Sequence, residues 1–406
     1  MTASPSATPT QTPPPTPRPK QRTASPDTAW NFRLVGHNSI DAIGWHGGLA
    51  LADRCAYVGN YRRSAVAILD VSDPANPSLL EPLELPSGTA PVELRTIPDL
   101  DLLVVTDLSS AARLLTYDIS DCTAPQQLGS INLVHPIHEF YLWRGENRVL
   151  AYVATFDHYP PHLIVVDITD PTQPQEVARW NAAEDGVQGI LHSLSVSRDG
   201  TRAYLAMWDG GFVILDIDLP RIEIVRGSDG GFDPARLPNT HSAVPLEDKD
   251  FVLLASEVFD CPFEGLAVVD ISDPAYPEIV SRFRLPENRC QNLPGTPGGT
   301  FTPHNPLVVE DMALVSWYAA GVQAIDLRDP TAPSRLGQFV PQAIEGAPAS
   351  LLGNYPIQMF SYPIVKDGLI YVTDSVGGLY VLRYTGSRAD WLAGVAHAEG
   401  NVTILP

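Results

Sequence analysis

AVAILDVSDPANP, at Ala65–Pro77, is a stretch that the chain repeats. Each copy is a short run rich in Val, Ile and Leu that ends in a turn signal, which is typical of a buried strand and too short for a helix. Pro74 has no N–H to give to a sheet, and Ser72 and Asp73 can bond nearby backbone amides, so the strand has to end there. The other copies are ARLLTYDISDCTAP (Ala112–Pro125), HLIVVDITDPTQP (His162–Pro174), GLAVVDISDPAYP (Gly265–Pro277) and GVQAIDLRDPTAP (Gly321–Pro333), with weaker ones at Gly211–Pro220 and Gly378–Gly386.

The seven copies recur at intervals of 48 to 57 residues. Two further apolar runs precede each copy, and a fourth usually follows it, with no helical period between them. Four antiparallel strands repeated in this way predict the blades of a β-propeller. A β-sandwich does not account for seven copies, and β-helix repeats are much shorter. We therefore predict an all-β fold, a seven-bladed β-propeller of four-stranded antiparallel blades.

The ends of the propeller follow from the same pattern. Trp30–Gly36 resembles the fourth strands, and the last repeat lacks such a strand, so we expect Asn31–Val35 to supply the outer strand of the final blade and close the ring. The predicted propeller spans residues 29–385. Residues 386–406 form a C-terminal tail packed on the outside of it, and the Pro/Thr/Ser-rich residues 1–28 form a disordered linker.

Composition narrows the possible partners. The 406 residues include 26 Lys and Arg against 47 Asp and Glu, a net charge of −21. Nucleic acids and anionic lipids require a basic surface, so neither is an expected partner. The chain contains no apolar stretch of about 18 residues, which argues against a membrane span. Pro/Thr-rich tracts often hold a secreted domain away from a cell surface, so we predict an extracellular or surface-tethered monomer whose leader or anchor is not visible in this sequence.

The four cysteines are too few for a disulfide scaffold in a chain of this length. Cys261 and Cys290 flank the same strand pair of the fifth repeat and are the plausible bridge. Cys55 lies in a predicted buried strand and is expected to be a small core residue.

Five histidines occupy equivalent positions at the start of the first strand of a repeat. The first strand of a blade lines the central channel, so these imidazoles are predicted to converge on the propeller axis. At this position the second repeat has Val92 or Glu93 and the seventh has Phe360. The five histidines are His46, His138, His192, His241 and His304.

Three interpretations of this pattern remain open. Each imidazole could bond a neighbouring backbone group and recur only because the blade recurs. The cluster could instead hold Fe, Cu or Zn, for which neutral imidazoles are suitable ligands, with Glu93 and Glu139 orienting the rings. In the third interpretation the histidines serve as polar anchors or proton carriers for an organic ligand.

The remaining histidines and several aromatic residues complete the set of candidates. His37, His135, His158, His162 and His397 fall outside the register and are predicted to lie on the surface or in loops. Phe156, Trp208 and the pair Trp317–Tyr318 follow second strands, where they could wall a pocket near the axis or pack between blades.

The run [LV]-x-[VI]-[VIL]-D-[VI]-[ST]-D-P-x-x-P resembles the LVIVD-repeat family of β-propellers. It is carried by Val66–Pro77, Leu163–Pro174 and Leu266–Pro277, and more loosely elsewhere, within roughly Trp30–Tyr384. The resemblance implies the propeller fold and a location at or outside the cell surface. The axial histidines are also similar in placement to those of the carotenoid-cleavage oxygenases, in which four histidines hold iron, but no catalytic residue can be transferred from that likeness.

These observations predict a binding module with a protein or small-molecule ligand at the channel face. The alternative is an oxidoreductase or hydrolase that depends on a histidine-ligated metal. No catalytic residue is assigned.

Overall fold

The computed structural model describes residues 29–155, 159–160, 162–246, 248–289, 299–343 and 355–404. They form seven small antiparallel sheets around a central channel, which confirms the predicted seven-bladed β-propeller. The predicted linker, residues 1–28, lies outside the described residues.

Two strands before the first blade join the sheets of the last two blades. Strand β1 (Ala29–Trp30) pairs with the outer strand of blade 6. Strand β2 (Phe32–Asn38) pairs antiparallel with residues Gly378–Tyr384 and forms the outer strand of blade 7. The predicted closure of the ring by an N-terminal strand is therefore confirmed.

Blades 1 to 4 each run from an inner strand at the channel to an outer strand at the rim. In blade 1 the outer strand is broken into two short pieces, β6 and β7, which pair with opposite ends of the third strand. The strands are β3 (His46–Ala52), β4 (Cys55–Asn60), β5 (Ala65–Asp70), β6 (Ser78–Leu79) and β7 (Leu83–Glu84) in blade 1; β8 (Leu94–Ile97), β9 (Leu102–Thr106), β10 (Arg113–Asp118) and β11 (Gln126–Asn132) in blade 2; β12 (Ile137–Arg144), β13 (Val149–Thr155), β14 (Leu163–Asp167) and β15 (Gln175–Trp180) in blade 3; and β16 (Ser193–Val196), β17 (Arg202–Ala206), β18 (Phe212–Asp218) and β19 (Arg221–Ile224) in blade 4.

Blades 5 to 7 follow the same plan, and blade 7 takes its fourth strand from β2. One short helix, α1 (Ala389–Ala393), and short 3₁₀ turns at Ile40–Ala42, Pro98–Leu100, Ala182–Asp185 and Pro286–Arg289 occur in the described chain. The strands are β20 (Thr240–Leu246), β21 (Phe251–Ser256), β22 (Leu266–Asp270) and β23 (Glu278–Phe283) in blade 5; β24 (Pro306–Val309), β25 (Met312–Ser316), β26 (Val322–Asp326) and β27 (Ser334–Phe339) in blade 6; and β28 (Ile364–Lys366), β29 (Leu369–Asp374) and β30 (Gly378–Tyr384) in blade 7.

The repeated D-x-S-D-P turn works as the sequence predicts. In blade 1, Oδ1 of Asp70 accepts the backbone N–H of Ser72 at 2.9 Å, and Oδ1 of Asp73 accepts that of Ala75 at 3.1 Å. Asp270 makes the same bond to Ser272 in blade 5. These bonds give the backbone an alternative to the sheet, so the third strand ends at the first aspartate.

The hydrophobic core is divided among the interfaces between blades. Each of seven clusters of buried side chains joins two adjacent blades; Tyr152 and Leu205, for example, belong to the cluster between blades 3 and 4. The strands are apolar on both faces because each blade packs against a neighbour on either side.

The C-terminal segment corrects the prediction of a tail on the outside of the propeller. Strand β31 (His397–Ala398) pairs with β28, and β32 (Val402–Ile404) pairs in parallel with β12, the inner strand of blade 3. Inner strands expose backbone N–H and C=O groups toward the channel, and the segment satisfies some of them. Residues 397–404 thus occupy the channel and link blade 7 to blade 3.

The structure also corrects the prediction for Cys55. Cys55 is not a free core residue, because it is bonded to Cys122 and joins blade 1 to blade 2. Cys261 is disulfide-bonded too, and its predicted partner Cys290 lies outside the described residues. Across the described ranges, no helix is long and apolar enough to cross a bilayer.

Candidate functional site

Four of the five predicted histidines form a continuous row at one end of the channel. His138, His192, His241 and His304 come from blades 3, 4, 5 and 6, and the ring centres of neighbouring members lie 4.3, 4.1 and 4.2 Å apart. Nε2 of His138 is 2.8 Å from Nε2 of His192. His138 is half-buried and the other three are buried.

Irregularities in the inner strands aim these side chains inward. The pairing of β12 with β13 shifts between Ile137 and Glu139, so His138 is the extra residue of a bulge. The pairing of β20 with β21 shifts in the same way around His241. Bulges re-aim a side chain and are frequent beside functional sites. His192 and His304 precede their strands, held by backbone bonds to Ala206 and Ser316.

His46 is not part of the row. It begins β3 and is 1% exposed, but the register of β3 skips two residues, Gly47 and Gly48, before Leu49. A side chain on Gly47 would overlap the Val92 carbonyl, so the inner strands of blades 1 and 2 approach closely here. His46 instead lines a cavity between blades 7 and 1.

Glu257, which the sequence analysis missed, lies beside the row. Its two carboxylate oxygens are 3.8 Å from Nε2 of His241 and 3.8 Å from Nε2 of His304. The Tyr318 hydroxyl donates a hydrogen bond to Glu257. Glu257 directly follows the second strand of blade 5, and Trp208 lies shortly after the second strand of blade 4. This position is the only feature of the sequence that points to Glu257.

Aromatic rings enclose the row on both sides. Trp208 stacks on His192 with 4.7 Å between ring centres, and Phe360 lies 4.3 Å from His304. Tyr318 lies 4.9 Å from His304. Of the predicted pocket-wall residues, Trp208 and Tyr318 therefore contact the row, whereas Trp317 packs in the core between blades 5 and 6. Phe156 lies outside the described residues.

Burial keeps the cluster uncharged at neutral pH. It lowers the pKa of His138 to about 4 and that of His304 to about 3, and it places the pKa values of His192 and His241 well below their usual range. Burial also raises the pKa of Glu257 to about 8. Neutral imidazoles retain a ring nitrogen lone pair, which is the form that binds a metal ion.

The predicted supporting carboxylates, Glu139 and Glu93, lie deeper in the channel. Glu139 accepts hydrogen bonds from the Tyr362 hydroxyl at 2.9 Å and from the Asn401 side-chain amide at 3.1 Å. Burial raises its pKa to about 8. Glu93 pairs with buried Arg95 at 2.7 Å. Glu139 reaches the histidine row, whereas Glu93 is occupied by the arginine.

Two sets of side chains have the spacing of metal ligands. Ligand atoms of Glu139, His192 and His241 all lie within 4.8 Å of one another, and so do those of His241, Glu257 and His304. His241 is common to both sets, and its Nε2 is buried and makes no hydrogen bond with any described residue. Imidazole and carboxylate donors of this kind suit Fe, Cu and Zn. The donor set therefore fits a transition-metal ion.

The histidines outside the row are only partly at the surface. His37 and His162 are buried, contrary to prediction; His37 bonds the Gly377 carbonyl, and Nδ1 of His162 accepts the Ala182 N–H. His397 lies in β31 within 3.4 Å of Glu399. His135 is half-buried, and His158 lies outside the described residues.

Comparison with known protein families supports the interpretation of the repeated stretch as an LVIVD repeat. The LVIVD repeat matches residues 49–83, 150–182, 189–220 and 263–284, which fall in blades 1, 3, 4 and 5. The protein is a β-propeller built with LVIVD repeats. No curated protein matches the sequence significantly.

Solved structures share the fold of this LVIVD-repeat propeller. A protein from Lactobacillus plantarum superposes with a TM-score of 0.53 at 16% identity, over 73% of this chain and 85% of that one. The N-terminal domain of Nup159 superposes with a TM-score of 0.52 at 12% identity, over 90% and 98% of the two chains. At these identities the likeness concerns the fold alone.

Proposed function

We propose that the LVIVD-repeat propeller binds a transition-metal ion on the histidine row and presents it to a small ligand at the channel mouth. The observation that carries this proposal is the convergence of four neutral imidazoles from four successive blades, with Nε2 of buried His241 lacking a hydrogen bond to any described residue. A buried polar atom without a partner is costly unless a ligand satisfies it.

His192 and His241 form the centre of the proposed site. Glu139 has the spacing to add a carboxylate oxygen beside them, and His304 with Glu257 has the spacing to add a nitrogen and an oxygen beside His241. Nε2 of His138 lies 2.8 Å from Nε2 of His192. Iron and copper would support redox chemistry, and zinc would polarise a bound water or carbonyl group. The geometry thus favours a metal-dependent oxidoreductase or hydrolase over a binding module without a metal.

Access to the row is from the side of His138 and the adjacent Trp208, because both residues are half-buried whereas His192, His241 and His304 are buried. The exposed ring of Phe259 lies 6.3 Å from that of Trp208. The two rings form an apolar approach to the imidazoles, of the kind that holds the body of a small organic ligand while polar groups fix its orientation.

We also propose that the protein functions outside the cytosol, at or beyond the cell surface. The bond between Cys55 and Cys122 supports this, because such bridges persist in oxidising compartments. Protease mapping of non-reduced protein recovered from its native location tests this proposal, and finding both thiols reduced would count against it.

Metal analysis tests the main proposal. Protein purified without a polyhistidine tag should contain about one equivalent of Fe, Cu or Zn, and the double variant His192→Ala/His241→Ala should contain none. The matched control is His135→Ala, a half-buried histidine outside the row. Wild-type protein that folds but takes up none of the three ions would refute a metal site.

A further inference from the structure

A cavity of about 1210 Å³ lies between blade 7 and blade 1, apart from the histidine row. Its walls come from β2, from the chain between β2 and β3, and from β4, β5 and the interrupted outer strand of blade 1. The outer strand is interrupted between β6 and β7, and residues 77–82 around this interruption line the cavity. Its volume is sufficient for a small organic molecule.

The wall formed by Ile40–Ala42 has an unusual backbone. All three residues are left-handed, with φ angles of 49°, 55° and 54°, although none is glycine. Asn38 holds the turn: its Oδ1 accepts the Ile40 N–H and its Nδ2 donates to the Pro77 carbonyl, both at 2.8 Å. Strained residues of this kind persist where the surroundings impose them and are concentrated at ligand sites.

His46 presents an unused acceptor at the inner end of the cavity. Its ring bonds the backbone of Ser39, and its Nε2 is buried without a hydrogen-bond partner among the described residues. Burial and the nearby Arg63 lower the pKa of His46 to about 3, so the ring is neutral. A ligand in the cavity therefore has to offer an N–H or O–H group to this nitrogen.

Arg63 supplies a positive charge on the same wall. Its side chain is exposed and forms no ion pair with any described residue. The loop is fixed because Oδ1 of buried Asn60 accepts the backbone N–H groups of Arg62 and Arg63 at 2.8 and 3.0 Å. The free guanidinium is a ready partner for a carboxylate.

Apolar side chains cover much of the remaining wall, among them Ile43, Val58, Leu80 and Leu85. Glu81 and Glu84 lie at the outer end and disfavour a second negative charge on the ligand. The ligand is thus singly anionic at one end, with a hydrogen-bond donor close to the anion and an apolar body.

We propose that this cavity binds an apolar α-amino or α-hydroxy carboxylate, with the carboxylate on Arg63 and the amino or hydroxyl group on Nε2 of His46. This arrangement satisfies the buried acceptor and the unpaired cation together. The site is separate from the proposed metal site and does not depend on it.

Isothermal titration calorimetry with four related compounds tests the assignment. L-phenylalanine and L-3-phenyllactate carry both required groups, 3-phenylpropionate lacks the donor, and phenethylamine lacks the carboxylate. We expect the first two to bind at least about tenfold more tightly than the others, since leaving a buried acceptor unsatisfied or losing a charge-assisted bond each costs affinity of that order. Equal affinity for all four, or no binding of the first two, would overturn the proposal.

Two variants assign the contacts. Arg63→Met changes an exposed residue and should weaken phenyllactate binding about tenfold or more without altering the thermal melting temperature. His46→Phe should weaken it similarly if the variant folds, as circular dichroism will show. Unchanged affinity in Arg63→Met would contradict the assignment even if His46→Phe does not fold. The His192→Ala/His241→Ala protein should still bind phenyllactate, which separates this site from the metal site.

Discussion

Asn401 of the C-terminal segment donates a hydrogen bond to Oε2 of Glu139, on the inner strand of blade 3, at 3.1 Å. The same amide donates to the Tyr362 hydroxyl of the chain before blade 7 at 2.8 Å. Glu139 lies within ligand distance of His192 and His241. The C-terminal segment therefore holds a carboxylate of the candidate metal site in place by a hydrogen bond.

Replacing Asn401 by Gly, which tolerates the left-handed backbone of this position (φ 60°), should destabilise the protein and loosen this support. The Glu139 carboxylate and the Tyr362 hydroxyl would each lose a partner, and we expect the free energy of unfolding to fall by about 1–3 kcal/mol. Urea denaturation measures the change. Gly394→Ala is the control, because a methyl group there meets open space. Equal stabilities of the two variants would show that the Asn401 bonds do not matter.

Tyr318→Phe tests whether Glu257 has to be oriented for metal binding. The substitution removes the hydroxyl that donates to Glu257 but leaves the ring beside His304. Loss of a bond that orients a ligand typically lowers metal affinity about 10–100-fold, and we expect a decrease of this size in competition with a chelator. Tyr371→Phe, in the core between blades 7 and 1, is the matched control. Identical affinities would show that metal binding does not require the bond from Tyr318 to Glu257.

The Cys55–Cys122 bond should stabilise the junction of blades 1 and 2. The two cysteines are 67 residues apart in sequence, and removing a bridge of this size commonly costs about 2–5 kcal/mol. The double variant Cys55→Ala/Cys122→Ala should therefore unfold at lower urea concentration than the oxidised wild type. A reducing agent should lower the stability of the wild type more than that of the variant, which keeps only the disulfide of Cys261. A wild type that does not respond to reduction would contradict this expectation.

Acid should weaken the repeated turns. The hydrogen bond from the Ser272 backbone holds the pKa of Asp270 below its usual 3.8. The folded state binds this proton less tightly than the unfolded chain, so the stabilisation is complete above pH 3.8 and disappears as the pH falls through the lowered value.

Asp270→Asn keeps an oxygen that can accept the Ser272 N–H but cannot titrate. Its stability should consequently vary less with pH between about pH 2 and 4 than that of the wild type, measured by urea denaturation. Asp248→Asn, in the loop between β20 and β21, serves as control. A variant with the same pH profile as the wild type would show that the turn does not contribute.

The repeats made most of the fold predictable. A short apolar run that ends in an aspartate turn imposes a strand of fixed length, so the seven third strands and the closure of blade 7 by β2 could be read from sequence. The convergence of His138, His192, His241 and His304 followed from their equal places in the repeat.

The structure differs from the predictions at positions where the sequence does not follow the repeat. The glycine pair after His46 alters the register of β3, so an equivalent place in sequence is not an equivalent place in space. Glu257 has no counterpart in the other blades, and the partners of Cys55 and Asn401 are distant in sequence. Long-range pairings of single residues leave no periodic signal.

The pairing of β32 with blade 3 has a consequence for biosynthesis. Blades 1 to 6 leave the ribosome before the segment that fills the channel, and blade 7 needs β2 from the start of the chain and β30 from near its end. During translation the histidines are consequently exposed to solvent from both ends of the channel. Pairing of residues 402–404 with β12 closes one end of the channel, so an ion that enters from there has to do so before this pairing forms.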